Sequence, residues 1–168
     1  SMREISLYDS RDLLSSYDSF EPKTIFTDSH QDGIWGMQNS PCKNIQYDTS
    51  HSVIGKDHLH IQWKQSSECK YLGMGFKWDN YKSKNLLPIV KECAIEMMIK
   101  VEEGELTKIP MFFALTDYSG KQCVSKINIL DIEGGVIDTT WRKVLIPLPS
   151  FNHEKKQVSL SNIKELRL

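Results

Sequence analysis

No stretch of this 168-residue chain carries the 3.6-residue apolar period of an amphipathic helix of normal length. A fold of alternating strands and helices around a parallel sheet is thereby excluded. Apolar runs are short as well, none approaching the roughly 20 residues that a membrane-spanning helix needs. There is no C-x-x-C pair among Cys42, Cys69, Cys93 and Cys123, which argues against a structural zinc site. Nucleophile elbow, H-E-x-x-H, phosphate-binding loop and glycine-rich dinucleotide turn are all missing, so no common catalytic signature is present. Nor does charge concentrate anywhere: formal net charge is −1 and the 21 basic residues are scattered, which excludes nucleic acid as an expected partner. No signal peptide opens the chain, and that absence says nothing about export.

What the chain does contain is alternation. With 39% apolar and 26% charged residues it has the composition of an ordinary globular domain, long enough to bury a core without staples. Residues 1–16 read as an N-terminal arm anchored by Ile5, Leu7, Leu13 and Leu14, with a short helical turn over Arg11–Ser16; residues 17–168 read as one domain. Strands are predicted over Pro22–Thr27, Asn44–Thr49, Asp57–Trp63, Tyr71–Trp78, Glu92–Val101, Pro110–Thr116, Gln122–Leu130, Trp141–Leu148 and Ile163–Leu168. Pro110–Thr116 is so continuously apolar that it reads as buried on both sides, whereas Asp28–Cys42 reads as a loop carrying Trp35. Short strands punctuated by turn residues, without a βαβ rhythm, predict an all-β antiparallel sandwich. Cys93 and Cys123 fall in apolar segments, where a free thiol serves as a small hydrophobe, and one disulfide is equally compatible with the four cysteines.

The segments Asp57–Trp63 and Tyr71–Trp78 are read as adjacent strands. Their inward phase would be Leu59, Ile61, Trp63, Leu72, Met74, Phe76 and Trp78, and their outward phase His58, His60, Gln62, Tyr71, Gly73, Gly75 and Lys77. Gly73 and Gly75 either leave the sheet bare for a flat ligand or relieve crowding against a neighbouring loop. Trp35, Trp78 and Tyr81 lie in or beside loops at the strand ends, and Trp35 either plugs the core or stands out as a platform. Rings for stacking beside His, Gln and Lys for hydrogen bonding form the mixture that recognises sugars, so His58, His60, Gln62, Tyr71, Lys77, Trp35, Trp78 and Tyr81 are the candidate ligand-binding residues. An ordinary solvated sheet face would have the same composition. His58 and His60 also form an H-x-H pair projecting one way from a strand, which would bind a metal if a neighbouring strand added a ligand such as Glu96.

Several segments in order carry a family likeness: Tyr17-Asp18-Ser19-Phe20-Glu21, Leu59-His60-Ile61-Gln62-Trp63, Tyr71-Leu72-Gly73-Met74-Gly75-Phe76, Trp141-Arg142-Lys143-Val144-Leu145-Ile146-Pro147-Leu148 with Phe151, and Ile163-Lys164-Glu165-Leu166-Arg167-Leu168. This series resembles the galactose-binding-domain-like β-sandwich of many carbohydrate-binding modules, over nearly the whole chain from Tyr17. The resemblance implies a jelly roll with a glycan on one sheet face and no catalysis. It also implies attachment to other domains of a carbohydrate-active protein and a secreted, periplasmic or cell-surface location. A structural calcium is implied as well, with Glu21 and Asp28 near the first strand and Glu165 near the last as ligands. Trp141 and Phe151 match positions that pack. The competing readings are a structural or protein-interaction sandwich without a sugar site and, third, a metal enzyme built on His58 and His60.

Overall fold

The computed structural model describes residues 2–9, 15–26, 34–36, 40–48, 58–70, 72–109 and 111–168. Two antiparallel sheets enclose one core. The first contains β1 (Met2–Asp9), β2 (Thr24–Phe26), β4 (Lys43–Asp48), β5 (His58–Trp63), β7 (Cys93–Ile99) and β10 (Arg142–Pro147), in the order β10-β7-β1-β5-β4 with β2 also paired to β1. The second contains β3 (Ile34–Trp35), β6 (Gly75–Phe76), β8 (Phe112–Asp117), β9 (Gln122–Lys126) and β11 (Ile163–Arg167), in the order β3-β6-β11-β8-β9. A single five-residue helix, α1 (Ser15–Ser19), is the only α-helix among the described residues. The all-β sandwich expected from the alternation is the observed fold.

The core is the inward phase of both sheets. Ile5, Leu7, Ile45, Leu59, Ile95, Met97, Val144 and Ile146 of the first sheet face Phe76, Phe113, Leu115, Cys123, Ile163 and Leu166 of the second. Cys93 and Cys123 are buried free thiols, while Cys42 and Cys69 form a disulfide. Burial pushes the Cys123 thiol up to about 11, as expected for a sulfur used as a hydrophobe.

Three expectations change. The supposed N-terminal arm contributes β1, a central strand paired with β7 from Leu7↔Ile95 to Asp9↔Cys93; a helix is described over Ser15–Ser19, and the rest of the turn expected at Arg11–Ser16 lies outside the described residues. Ile5 and Leu7 are sufficient apolar phase for a strand because neighbours on both sides supply its hydrogen bonds. Within the expected loop Asp28–Cys42, Ile34–Trp35 forms β3. The segment read as Tyr71–Trp78 keeps only Gly75–Phe76 as a strand, and β6 lies in the other sheet from β5, so the two are not adjacent. The burial expected on both sides of Pro110–Thr116 holds from Phe113 to Thr116, and within β8 Phe112 alone departs from it, half exposed at the start of the strand.

Candidate functional site

Register fixes what each sheet turns outward. On the five-stranded sheet, Trp35, Gly75, Arg167, Ala114 and Val124 lie side by side across all its strands. The next rows hold Glu165, Thr116 and Gln122, then Phe112 and Lys126. A Cβ placed on Gly75 would stand 2.1 Å from Nε1 of Trp35 and 2.3 Å from Cε2, so the indole lies against the bare backbone of β6. Only glycine permits that approach. The same Nε1 donates to Oε2 of Glu165 at 2.7 Å. Arg167 donates from Nε to the other oxygen, Oε1, at 2.8 Å, and its guanidinium carbon sits 5.4 Å from the Trp35 ring centre. Glu165 is buried and holds the ring and the guanidinium in fixed positions.

Tyr81 and Tyr118 flank one end of this face. Nζ of Lys164 lies 5.3 Å from the Tyr81 ring centre and 5.9 Å from that of Tyr118, and Nζ of Lys77 lies 5.8 Å from Tyr81. Burial and the Glu165 carboxylate push the Tyr81 hydroxyl up from its ordinary value, opposed by Arg167. Tyr81 closes a turn in which Asp79, Asn80 and Tyr81 all have positive φ, of 52°, 53° and 64°. Lys84, buried beneath it, secures that turn by donating from Nζ to the carbonyl oxygens of Trp78, at 2.6 Å, and Lys82. Burial lowers the Lys84 amine to about 8, with Asp79 acting in the opposite direction. The turn that carries Tyr118 is fixed by Asp117, whose Oδ1 accepts from Ser119 N and Oγ and from Lys121 N, while Oδ2 accepts from Ser159 N at 2.8 Å. Burial would raise the Asp117 carboxyl, but these hydrogen bonds hold it below the ordinary range. On the floor beside Glu165, Oγ1 of Thr116 is buried without a hydrogen-bond partner among the described residues.

The expected residues are therefore dispersed. Trp35, Lys77 and Tyr81 belong to this face. His58, His60 and Gln62 belong to the outer face of the six-stranded sheet, paired with Asp48, Gln46 and Asn44 of β4. His58 is 3% exposed beneath Trp141, with ring centres 5.4 Å apart and nearly perpendicular, and Nε2 of His60 sits 2.9 Å from Oε1 of Glu102. These histidines are covered, not displayed. Gln62 is exposed at the end of β5. Trp78 is fully buried, donating Nε1 to the Pro22 carbonyl at 2.9 Å and packing on Phe20, so it is a core residue. Trp63, expected inside, is exposed. Trp141 and Phe151 both pack, the first on an outer face and the second in the core. Tyr71 lies outside the described residues.

The metal candidates do not converge. Glu21 is exposed and ion-paired with Lys23 at 2.8 Å, which holds its carboxyl below the ordinary range. Both oxygens of Glu165 are engaged by Trp35 and Arg167, and Asp28 lies outside the described residues. Glu96, the proposed third partner of the histidines, instead pairs with Lys143 at 3.7 Å on a strand separated from β5 by β1. No group of three or more metal-ligating side chains occurs among the described residues. The described donors do not fit a calcium or a transition metal, and no role is derived from one.

A β-sandwich with one sheet face carrying fixed aromatic rings and hydrogen-bonding side chains has the architecture of a surface that binds extended ligands. The family comparison makes the class specific: residues 23–168 match the family described as carbohydrate binding domain 30, and the chain belongs to that family. It is a non-catalytic carbohydrate-binding module. No curated protein and no solved structure matches the chain.

Arg167, Glu165, Tyr118, Lys164 and Phe112 share this face but are not among the candidate ligand-binding residues read from the sequence. The closing alternation Ile163-Lys164-Glu165-Leu166-Arg167 places Glu165 and Arg167 outside the core, a legible signal. A bulge between Ile163 and Glu165 turns Lys164 outward too, which alternation does not reveal.

Proposed function

We propose that the glycan lies on the outer face of the five-stranded sheet, with Trp35 as its central platform. The observation that carries this is the Trp35 indole laid over Gly75 and tied by Nε1 to Glu165. A sugar presents apolar C–H faces to a flat ring and hydroxyls to planar donors and acceptors, and here Arg167 and Gln122 stand on the same face. Because the ring is already held, little side-chain entropy is lost on binding. Tyr81, Tyr118 and Phe112 extend the surface on either side.

In its wider setting the module is one part of a glycan-degrading protein, raising the local concentration of an attached enzyme on its polymer. The Cys42–Cys69 disulfide supports a secreted, periplasmic or cell-surface location, where such bonds persist.

The test is retention on a panel of immobilised polysaccharides. Trp35→Ala should abolish retention with a near-wild-type circular dichroism spectrum. Gly75→Val, whose side chain enters the space of the indole, should weaken binding by roughly 2 kcal/mol or more, as loss of a central aromatic anchor does. Undiminished retention by Trp35→Ala would remove the platform from this face.

A further inference from the structure

The rings of the five-stranded face do not stand alone, since each has a cation close to it. Arg167 lies by Trp35, Lys77 and Lys164 by Tyr81, Lys164 also by Tyr118, and Lys126 by Phe112, the last with Nζ 5.0 Å from the ring centre. Four cationic side chains thus gather on one face of a chain whose net charge is only −1. The carboxylate among them, Glu165, is 2% exposed and fully engaged by Trp35 and Arg167. Lys77, Lys126 and Lys164 have no carboxylate within ion-pair distance among the described residues. Arg167 uses Nε for Glu165, and its two terminal nitrogens make no hydrogen bond with a described residue.

Around Tyr81 the arrangement is tightest. Two ammonium groups share one ring, and neither is ion-paired with a described carboxylate. A wholly neutral glycan would stack on these rings while leaving Lys77, Lys126 and Lys164 without a counter-charge; Arg167 already has Glu165. An anionic group seated above Tyr81 would instead accept charge-assisted hydrogen bonds from both lysines, stronger and more directional than those to a hydroxyl. Neighbouring sugar units would extend toward Trp35 and Arg167.

We propose that this module selects acidic polysaccharides, holding a carboxylate or sulfate group of the glycan between Lys77 and Lys164 above Tyr81. The inference rests on the assignment of the glycan to this face. It predicts binding that weakens with salt, because a large share of the attraction is between charges near the surface.

Affinity electrophoresis separates the possibilities. The gels would contain polygalacturonate or alginate as carboxylate glycans, carrageenan as a sulfated one, and hydroxyethylcellulose or mixed-linkage β-glucan as neutral ones. Wild type should be retarded more strongly by an acidic gel than by either neutral gel, and the carboxylate and sulfate arms show which anion is preferred. Lys77→Met and Lys164→Met should each weaken that retardation roughly tenfold. It should largely vanish at about 1 M salt, where the screening length is about 3 Å. Both lysines are at the surface, so unchanged melting curves verify folding. Retention by neutral glycans that is lost in Trp35→Ala, indifferent to salt and unaffected by the lysine variants, would overturn the charge selectivity and leave the face assignment standing. Acidic binding untouched by either lysine variant would overturn the anion position. Retention that Trp35→Ala does not alter would overturn the face assignment and the proposal with it.

Discussion

On the six-stranded sheet the outward histidines of β5 disappear beneath Trp141 and Glu102, whereas on the five-stranded sheet Trp35, Arg167 and Phe112 remain at or near the surface. Both faces are made by the same period-2 alternation, and both carry aromatic, cationic and carboxylate side chains. They differ in what lies over the strands. Trp141 immediately precedes β10 and Glu102 follows β7, so the chain folds its own side chains onto His58 and His60. Over β6 the protein supplies one flat ring, seated on a glycine. Alternation decides which side chains leave the core; the segments between strands decide whether those side chains meet solvent.

Cutting the link between the two sheets should have the largest effect on stability. Cys42 lies between β3 and β4, and Cys69 between β5 and β6, so the disulfide joins two of the connections that carry the chain from one sheet to the other. It closes a loop of sequence separation 27, for which loop-closure entropy predicts roughly 3 kcal/mol. Reduction, or Cys42→Ser with Cys69→Ser, should lower the denaturant midpoint accordingly. It should also weaken glycan retention, since β3 and β6, which hold Trp35 and Gly75, are reached through these connections. Lowered stability with unchanged retention would show that the platform is held by Glu165 and Gly75 alone.

Much of this architecture was legible in the sequence, and the exceptions have physical causes. Long alternations such as Cys93–Ile99 and Arg142–Pro147 gave their strands within a residue or two, because every second side chain is buried. Two-residue strands such as Ile34–Trp35 carry no period, and their pairing with β6 is a tertiary fact. Gly75 was legible as a bare spot, but its occupant is Trp35, reached only after the chain has crossed to the other sheet and back. His58 and His60 have the outward phase expected of them, and no local pattern announces that residues 102 and 141 cover them. In Phe112-Phe113, two equal residues in an apolar run conceal which one faces out.

The open face depends on Lys84 for the position of Tyr81, and pH tests that dependence. An ordinary lysine titrates near 10.5, whereas burial brings Lys84 to about 8. Between those values the unfolded chain binds more protons than the folded one, so this group makes stability rise with pH through that window. The gain should reach about 2 kcal/mol as pH goes from about 8 to about 10. Cys123 acts oppositely: its thiol, raised from 9.0 to about 11, keeps its proton in the fold and costs stability as pH climbs through that range. Subtracting the curve of Lys84→Met from that of wild type removes the cysteine contribution common to both. A difference that grows from pH 8 upward supports the buried ammonium. Parallel curves would mean that the Lys84 amine is not held at a lowered pKa by burial beneath the turn at Asp79–Tyr81.

The closed face offers the smallest effect and the cleanest discrimination. Glu102 is 63% exposed at its side chain while His60 is 11% exposed, so their contact joins a solvated carboxylate to a covered imidazole. Screening by water limits such a pair to under about 1 kcal/mol. Glu102→Gln preserves the shape and keeps an oxygen able to accept a hydrogen bond, so the melting temperature should fall by only a degree or two, on the order of 0.5 kcal/mol. Glycan retention should be unchanged, because on our assignment no sugar touches this sheet. The two measurements together matter more than either alone. A variant that loses retention while remaining as stable as wild type would place the ligand over His60 and Glu102, and the two faces would then have exchanged roles. Unchanged retention beside a small loss of stability leaves the six-stranded face as a covering and the five-stranded face as the surface that meets the glycan.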